Sequence, residues 1–308
     1  MPSGHASGVS LPAWRTYVVV CRLGSLSAAA VELGYTQSAV SRQIAALERT
    51  AGMDLLERRP RGVAPTAAGQ AFLRHARVVV GEAARAFESA REVLDPELLP
   101  LAVGATPATA ASIVPVALGR IEARLGRLPW SLLPALTRDL EEMVADGEVD
   151  LAVVTDAPPG LSDHPRLERR RLGTDEMCVM VPVGHPAASA SASRVGIDIF
   201  ADDLWVEDND GSAALLRTSA GRAGFSARIE RSAADLMGKM ALVAAGHAVA
   251  LFPGVLASSL RSDVISVALD EPPRRGIYAL IKAASRPHPA LDPLVDELTR
   301  ALEEVTAT

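Results

Sequence analysis

The chain has 308 residues, of which 49% are apolar, 22% charged and only 4% aromatic. This length suffices for two or three globular units with sizeable cores, and the composition excludes disordered and collagen-like proteins. Two cysteines cannot build a disulfide framework, and no apolar run reaches the roughly 18 residues that a membrane helix needs. The first ten residues also lack the basic and apolar regions of a secretory signal, so we expect a cytoplasmic protein without membrane contact.

The two ends of the chain differ in charge. Residues 1–80 hold nine arginines against four acidic residues, a formal charge of +5, whereas the whole chain carries −6. The remaining residues therefore carry −11. A basic N-terminal segment beside an acidic remainder predicts that only the N-terminal end of the chain meets a polyanion.

Three short helices are predicted near the N-terminus. Apolar residues at helical spacing cover residues 11–23. We expect Ser27 to cap a helix over 28–33, and Thr36 to cap another over 37–50. Two short helices that are three residues apart are typical of a helix-turn-helix. The third helix should direct its apolar residues inward, namely Val40, Ile44 and Leu47.

A wing and a long helix are predicted next. Two short extended pieces within residues 55–65 flank a turn that holds Arg58, Arg59 and Arg61. A helical pattern then runs from Thr66 to about residue 94, with an apolar seam close to a heptad repeat. The seam consists of Phe72, Ala76, Val79, Ala83, Phe87, Ala90 and Leu94. Such a seam favours pairing with a second copy of the helix, although it could also pack on the chain's own C-terminal part.

Beyond residue 98, predicted strands alternate with predicted helices. Strands are expected at 99–104, 130–136, 149–154, 177–181, 204–207, 248–252, 264–268 and 277–281. Helices are expected at 110–125 and 138–146, and near 212–224, 233–245 and 292–304. This alternation predicts a parallel, doubly wound sheet that is covered by helices on both faces.

Recognisable motifs occur in both parts of the chain. In the N-terminal part they are Gly24-Ser25-Leu26-Ser27, Leu33-Gly34-Tyr35-Thr36-Gln37-Ser38-Ala39-Val40-Ser41-Arg42, Leu55-Leu56-Glu57-Arg58 and Ala68-Gly69. In the C-terminal part they are Val103-Gly104-Ala105-Thr106-Pro107, Gly147-Glu148-Val149-Asp150, His185-Pro186-Ala187 and the segment 243–253. Together these motifs resemble those of LysR-type transcriptional regulators, and the resemblance covers nearly the whole chain.

The resemblance implies an α/β protein with three parts. These are a winged helix-turn-helix DNA-binding domain over 1–66, a dimerising linker helix over 67–97 and an effector-binding domain over 98–308. The effector domain should be two-lobed and doubly wound, resembling type 2 periplasmic binding proteins. Lobe I would comprise 98–174 with 276–308, and lobe II would comprise 175–275.

The resemblance also implies partners and a mechanism. Homodimers would pair into a homotetramer on a double-stranded, partly palindromic operator with a T-N11-A core. A small-molecule effector between the lobes would favour one tetramer shape and thereby change the DNA bend. RNA polymerase is a further candidate partner.

Nine residues are candidates for DNA contact. The third helix has a polar or small-residue face, on which Gln37 can pair with adenine and Arg42 can reach guanine or a phosphate. The start of this helix offers backbone donors for a phosphate, and the wing arginines suit the DNA backbone or the minor groove. The set is Ser27, Thr36, Gln37, Ser38, Ser41, Arg42, Arg58, Arg59 and Arg61. The alternatives are an ordinary three-helix core and a solvated arginine turn.

Six residues are candidates for effector contact. Thr106, Pro107 and Thr109 follow the first strand of the doubly wound part, and Thr137 begins the next helix, so their hydroxyls and nearby N–H groups suit an anionic or accepting group. The alternative is a plain helix cap. The acidic turn 207–212 includes Asp208 and is usually a solvated loop; in a cleft it would favour an effector with donor groups. His247 could meet a ligand, although a single histidine beside glycine is more often structural.

Catalytic and metal motifs are not found. The sequence has no phosphate-binding glycine loop, no nucleophile elbow, no zinc-protease motif and no paired cysteines, so we expect no enzyme activity, no metal and no cofactor. Cys21 and Cys178 are expected to fill apolar sites, and a single cysteine in the effector part excludes an internal disulfide sensor. The rival interpretation is a small-molecule enzyme or a solute-binding protein built on 98–308.

Overall fold

The computed structural model describes residues 10–60, 62–92, 100–126, 128–190, 194–283 and 288–307, the side chains at 84, 85, 87–92 and 190 excepted. The chain divides into two compact units, Met1–Pro96 and Glu97–Thr308. Each unit has its own buried core.

The N-terminal unit begins with the three predicted helices and the wing. The elements are α1 (Leu11–Leu23), α2 (Leu26–Leu33), α3 (Gln37–Ala51), β1 (Leu56–Arg59) and β2 (Gly62–Pro65), followed by the long helix α4 (Ala67–Glu92). The two strands pair antiparallel, with Arg59 opposite Gly62. The predicted helix-turn-helix and wing are therefore confirmed.

The start of α2 differs from the prediction. Ser25, not Ser27, is the N-cap: its backbone is extended and its hydroxyl accepts a hydrogen bond from the N–H of Ala28. Ser27 lies inside the first turn of the helix and is exposed. The reason is that Ser25 directly follows the left-handed Gly24, where the chain turns from α1, so the extended cap conformation falls two residues earlier.

The inward face of α3 is as predicted. Val40, Ile44 and Leu47 are buried and pack with Tyr17 of α1 and with Leu55, the residue that precedes the wing. The spacing of four and three residues places these side chains on one helical stripe. The opposite face of α3 is consequently left to polar residues.

The first turns of α4 belong to the same core. The Phe72 ring packs on Trp14 with 4.7 Å between centroids and meets Tyr17 edge-on at 5.3 Å. Leu73 and Ala76 are buried beside it. Phe72 is thus a core residue of its own unit, and not a position left open for a second chain. Of the remaining seam, Val79 is 41% exposed, whereas the side chains of Phe87 and Ala90, and Leu94, lie outside the described residues.

Five strands form the first sheet of the C-terminal unit. They are β3 (Leu101–Ala105), β4 (Trp130–Pro134), β5 (Leu151–Thr155), β6 (Leu167–Glu176) and β12 (Arg274–Lys282), in the order β4-β3-β5-β12-β6. Strand β3 is parallel to β4 and β5. Strand β12, which returns from the far end of the chain, is antiparallel to both of its neighbours.

The remaining strands form two further sheets. Strands β10 (Ala250–Phe252) and β11 (Val264–Val267) flank β7 (Cys178–Pro182) in an antiparallel sheet, and β8 (Leu204–Glu207) is parallel to β9 (Arg228–Ser232). The first sheet is therefore mixed and the sheet around β7 antiparallel, so the expectation of a wholly parallel sheet is wrong. Alternation along the chain indicates which elements exist, but strands that return from a distant segment can run in either direction.

Within the described residues, six α-helices accompany these sheets. They are α5 (Pro107–Ala110), α6 (Ile113–Leu125), α7 (Thr137–Asp146), α8 (Asp210–Arg222), α9 (Leu236–Ala244) and α10 (Leu291–Thr306). The helix predicted over 110–125 is interrupted, because the chain turns at Ala111–Ser112 between α5 and α6. Helices α6 and α10 pack against the first sheet and bury residues such as Leu118 and Leu298.

Two strands were not predicted. Strand β6 reads LERRRLGTDE and has three consecutive arginines, and β9 reads RIERS. Only Leu167, Leu172 and Asp175 of β6 are buried, so the apolar signal of a strand is almost absent. Both segments are strands because of their neighbours in the sheets and not because of local hydrophobicity.

The packing of Phe72 leads to a stability prediction. Phe72→Ala should destabilise the N-terminal unit by about 2 kcal/mol, since a half-buried ring with two aromatic neighbours is lost. Urea unfolding of the full chain, followed by far-UV circular dichroism, measures this change. Val31→Ala on α2 is the control and should cost less than about 0.5 kcal/mol, because Val31 is 83% exposed and lies outside the seam. Equal unfolding midpoints for wild type and Phe72→Ala would contradict the assignment.

Candidate DNA interface and effector site

The exposed face of α3 carries the predicted polar residues. Thr36 caps the helix, and its hydroxyl accepts a hydrogen bond from the N–H of Ala39 at 3.2 Å. The Thr36 hydroxyl also lies 3.1 Å from that of Ser38. Gln37, Ser41 and Arg42 are exposed on the following turns. These side chains, the buried stripe opposite them and the free N–H groups at the helix start form a surface that can enter a DNA groove.

The arginines differ in their surroundings. Within the part of the chain that the structure describes, Arg42 and Arg58 make no hydrogen bond or ion pair, so both guanidinium groups are free to bind a phosphate or a base. Arg59 donates to Glu57 Oε1 from Nε at 3.0 Å and from Nη2 at 2.6 Å. This pair is exposed and contributes little stability, so a phosphate can displace the carboxylate. Arg61 lies outside the described residues.

Two residues of α3 that sequence reasoning missed hold the helix in place. Gln43 accepts a hydrogen bond from the hydroxyl of Thr16, which is fully buried in α1. Glu48 Oε1 accepts hydrogen bonds from the N–H groups of Leu55 at 2.9 Å and Leu56 at 3.0 Å. The only sequence signal was a polar residue placed next to the buried stripe of the helix, which does not by itself identify a partner.

The structure brings the first effector candidates to one sheet edge. Thr106 follows β3, and Thr137 follows the neighbouring parallel strand β4, so both lie at the carboxyl ends of the strands. The Thr137 hydroxyl donates to the carbonyl of Thr155 at the end of β5, 3.1 Å away. Thr155, which was not among the predicted site residues, therefore lies at the same sheet edge as Thr106 and Thr137. Ligands commonly bind at this edge of open α/β sheets.

The hydroxyls of Thr106 and Thr109 already bind each other. Their oxygens are 3.0 Å apart, and Thr109 Oγ1 also lies 3.0 Å from the Thr106 carbonyl oxygen. Thr109 is fully buried, whereas Pro107 is exposed at the start of the four-residue helix α5. Thr109 therefore stabilises the loop; Thr106 is buried as well, at 6% exposed, and Pro107 is the exposed residue beside it.

The acidic turn 207–212 is not a solvated loop. It surrounds Lys239 of α9, whose ammonium group lies 2.5 Å from Glu207 Oε2, 3.0 Å from Asp208 Oδ1 and 3.2 Å from Ser212 Oγ. The Lys239 side chain is 1% exposed and that of Glu207 4% exposed. The expectation of a solvated turn is wrong, because a lysine 31 residues beyond Asp208 offsets part of the negative charge of the turn and allows it to be buried.

Burial dominates the electrostatics of this cluster. Desolvation raises the pKa of the Glu207 carboxyl above its usual range, and the neighbouring Lys239 ammonium opposes the rise. Glu207 Oε1 is buried and has no hydrogen-bond partner among the described residues. One oxygen of this carboxyl is therefore available to a hydrogen-bond donor.

The acidic turn lies close to the first sheet. A Cβ atom on Gly211 would stand 2.9 Å from the carbonyl oxygen of Pro158, in the loop that follows Thr155. The turn thus lies beside the loop that follows Thr155, close to the threonine edge formed by Thr106, Pro107 and Thr137. His247 does not, because it precedes β10, and β10 runs parallel to β8 with Val249 beside Trp205. Asp208 follows the carboxyl end of β8, so His247 lies at the opposite end of these strands.

The Cys178 thiol is unreactive, and the described residues offer no metal site. Burial, and secondarily the charge of Asp175, raises the pKa of the Cys178 thiol to about 12, so thiolate is negligible at neutral pH. Among the described residues, no cluster of histidine, cysteine and carboxylate side chains could hold a metal ion. None of the described helices is long and apolar enough to span a membrane.

Two family profiles match the chain. Residues 11–70 match the bacterial regulatory helix-turn-helix protein, lysR family, and residues 98–303 match the LysR substrate binding domain. Among characterised proteins, the chain is 30% identical over 241 residues to the HTH-type transcriptional regulator ShiR of Corynebacterium glutamicum, covering 76% of this chain and 79% of ShiR. It is also 30% identical over 300 residues to the small neutral protease regulatory protein of Streptomyces coelicolor, covering 93% and 90% of the two chains.

Solved structures share the fold. A cysteine mutant of Corynebacterium glutamicum OxyR matches with a TM-score of 0.60 and 25% identity, over 99% of this chain and 95% of that chain. Full-length CbnR complexed with its target DNA matches with a TM-score of 0.68 and 21% identity, over 95% and 100% of the two chains.

The Lys239 cluster leads to a pH-dependent prediction. Lys239→Met should destabilise the C-terminal unit by about 3–5 kcal/mol at pH 8, because two carboxylates lose their buried cation. The loss should shrink as the pH falls towards 5, since burial raises the pKa of the Glu207 carboxyl and the neutral carboxyl needs no cation. Urea unfolding at the two pH values measures both effects. The double variant Glu207→Gln/Lys239→Met should recover part of the loss, and a single variant as stable as wild type at pH 8 would refute the cluster's role.

Proposed function

The chain belongs to the LysR family of transcriptional regulators, and we propose that it binds a DNA operator through α3 and the wing under the control of a small-molecule effector. The LysR helix-turn-helix supplies DNA binding, and the substrate-binding domain supplies the effector site. The observation that carries the assignment of the DNA surface is the exposed polar face of α3, on which Arg42 has no partner among the described residues and lies opposite a buried stripe.

The proposed DNA contacts follow from exposure and charge. Gln37, Ser38, Ser41 and Arg42 read the groove, while Thr36 positions the helix start towards a phosphate. The wing arginines at 58, 59 and 61 bind the DNA backbone or the minor groove, and Ser27 on α2 contacts a neighbouring phosphate. The formal charge of +5 on residues 1–80 attracts the duplex, whereas the acidic remainder of the chain repels it.

The effector site is proposed at the threonine edge and the acidic turn. Thr106, Pro107 and Thr137 form one wall and Asp208 forms the other, while Thr109 supports the first wall from within. The carboxylates of the turn outnumber its ammonium group, so they favour an effector that carries hydrogen-bond donors and disfavour a simple dianion. His247 has no part in this wall, because it lies at the other end of the strands.

The rest of the proposal concerns assembly and location. The winged helix-turn-helix comprises 1–66, the linker helix 67–97 and the effector domain 98–308. The linker helices pair in a homodimer, and two dimers form a homotetramer on the operator. RNA polymerase is the partner through which transcription changes. The protein works in the cytoplasm as a regulator without catalytic activity, and the protonated, buried Cys178 argues against sensing of an oxidant by this thiol.

Arg42→Ala tests the DNA surface. The variant should bind the operator about ten- to a hundredfold more weakly, since a base or phosphate contact is lost in each subunit. Fluorescence anisotropy with a duplex selected from a random pool by the wild-type protein measures the affinity. Arg124→Ala removes the same charge from an exposed position on α6 and should leave the affinity unchanged. Equal binding by Arg42→Ala and wild type would place the recognition surface elsewhere.

Thr137→Val and Thr106→Val test the effector site. Each variant keeps the side-chain shape and removes a hydroxyl, so the effector affinity should fall roughly ten- to a hundredfold. A thermal-shift screen of metabolites on the full chain supplies the ligand, and calorimetry with that ligand gives the affinities. Thr218→Val on the exposed face of α8 is the control and should bind normally. Unaltered affinity in both test variants would move the site away from this edge.

A further inference from the structure

The backbone N–H and carbonyl of Leu55 connect α3, which we call the recognition helix, with the wing and with helices α1 and α4. Leu55 lies between the end of α3 and the start of β1, and its side chain is 1% exposed. Its N–H donates to Glu48 Oε1 of α3 at 2.9 Å. Its carbonyl accepts hydrogen bonds from the Tyr17 hydroxyl of α1 at 3.1 Å and from the Thr66 N–H at 3.0 Å. The N–H and the carbonyl of Leu55 are therefore both held by other elements.

Helix α4 closes this junction from another side. A Cβ atom on Gly69 would stand 1.9 Å from the Leu55 carbonyl oxygen and 2.6 Å from the Tyr17 hydroxyl, so only glycine allows the helix to pass this closely. The Thr66 hydroxyl donates to the carbonyl of Asp54 at 2.9 Å and accepts from the Gly69 N–H at 2.9 Å. The carbonyl side of Leu55 is thus fixed by α1 and α4.

The N–H side of the Leu55 junction is held by a single carboxylate oxygen, Oε1 of Glu48. Glu48 Oε1 accepts from two consecutive N–H groups, those of Leu55 and Leu56, and Leu56 is the first residue of β1. Two bonds from one atom fix both the position and the direction in which the strand leaves the helix. In the described residues, Glu48 is the side chain of α3 that does this.

The wing arginines lie a short distance beyond Leu56 on β1, so a small tilt of this strand displaces them. Arg58 and Arg59 are two and three residues beyond Leu56, which is about 7–10 Å along an extended strand. A tilt of about 20° at the base would move the arginines by about 3 Å, which is enough to break a hydrogen bond to a phosphate. Together with the bond from the N–H of Val63 in the facing strand to the Gly24 carbonyl, the bonds at the base therefore decide whether α3 and the wing can bind the same DNA face.

We propose that Glu48 is a positioning residue for DNA recognition: it sets the angle of the wing on the recognition helix through the amides of Leu55 and Leu56, without touching DNA itself. This inference rests on the proposed contacts of the wing arginines with DNA. A purely structural role for Glu48 would lower the stability of the unit and leave the contribution of each arginine unchanged.

Two variants of Glu48 separate the effect of side-chain length from the effect of charge. Glu48→Asp keeps the negative charge but is one methylene too short to hold both amides, whereas Glu48→Gln loses the charge and keeps an acceptor oxygen in place. Each is combined with Arg58→Ala, and the affinities are measured by anisotropy on the selected duplex. Arg58→Ala should weaken binding about five- to tenfold in the wild-type and Glu48→Gln backgrounds, and less than about twofold in Glu48→Asp.

A second readout is the dependence of affinity on salt. Glu48→Asp should flatten the slope of log K against log[salt] by about 0.9 for each phosphate contact that the wing loses, and Glu48→Gln should not. Arg42→Ala, on the recognition helix, should retain its full effect in every background. A full Arg58→Ala effect in Glu48→Asp would overturn the positioning role.

Failure of the DNA assignment is recognised separately. If Arg58→Ala is neutral in the wild-type background, the proposed wing contact is wrong and the positioning role in DNA recognition falls with it; amide hydrogen exchange then tests only whether Glu48 holds the base of β1. The same measurement applies if Glu48→Asp does not fold. In the wild-type protein, the Leu55 and Leu56 amides should exchange as slowly as those of Val40 and Ile44 in α3. Fast exchange at Leu55 and Leu56 would overturn the inference.

Discussion

The C-terminal unit depends on the pairing of β12 with strands on both of its sides. This strand comes from the end of the chain, yet it lies antiparallel between β5 and β6 and completes the first sheet. At its start, Arg275 Nε donates to Asp175 Oδ2 at 2.9 Å, and Asp175 Oδ1 accepts from the N–H of Val255 at 2.9 Å. Asp175 is fully buried. The return of the chain to the first sheet is therefore fixed by both backbone pairing and a buried ion pair.

That return accounts for the place of the proposed effector site. Because the chain leaves the first sheet after β6 and rejoins it at β12, the segment between them folds into the remaining sheets beside the first. The acidic turn with its buried Lys239 belongs to that segment, and the threonine edge belongs to the first sheet. In the N-terminal unit, the core likewise packs against the buried face of α3 and leaves Arg42 exposed on the opposite face. In both units, buried contacts position polar groups that are then available to a ligand.

The sequence predicted local structure well and distant contacts poorly. Helix α1 and strand β8 have the predicted bounds, because apolar spacing is a property of adjacent residues. Strand β6 was missed because its arginines conceal the pattern. The partner of the acidic turn was missed because Lys239 is 32 residues away from Glu207. The proximity of Thr106 and Thr137 was predictable from the rule that carboxyl ends of parallel strands share an edge. The position of His247 was not, since it depends on how β10 lies against β8.

The most direct measurement is selection of duplexes from a random pool by the full chain, followed by titration against a scrambled duplex. If the basic N-terminal unit recognises DNA by its sequence, a pair of recognition helices requires two related half-sites. We therefore expect an enriched motif with two-fold symmetry, bound at least about a thousandfold more tightly than the scrambled duplex at physiological salt. A pool without enrichment, or equal affinity for both duplexes, would contradict this expectation.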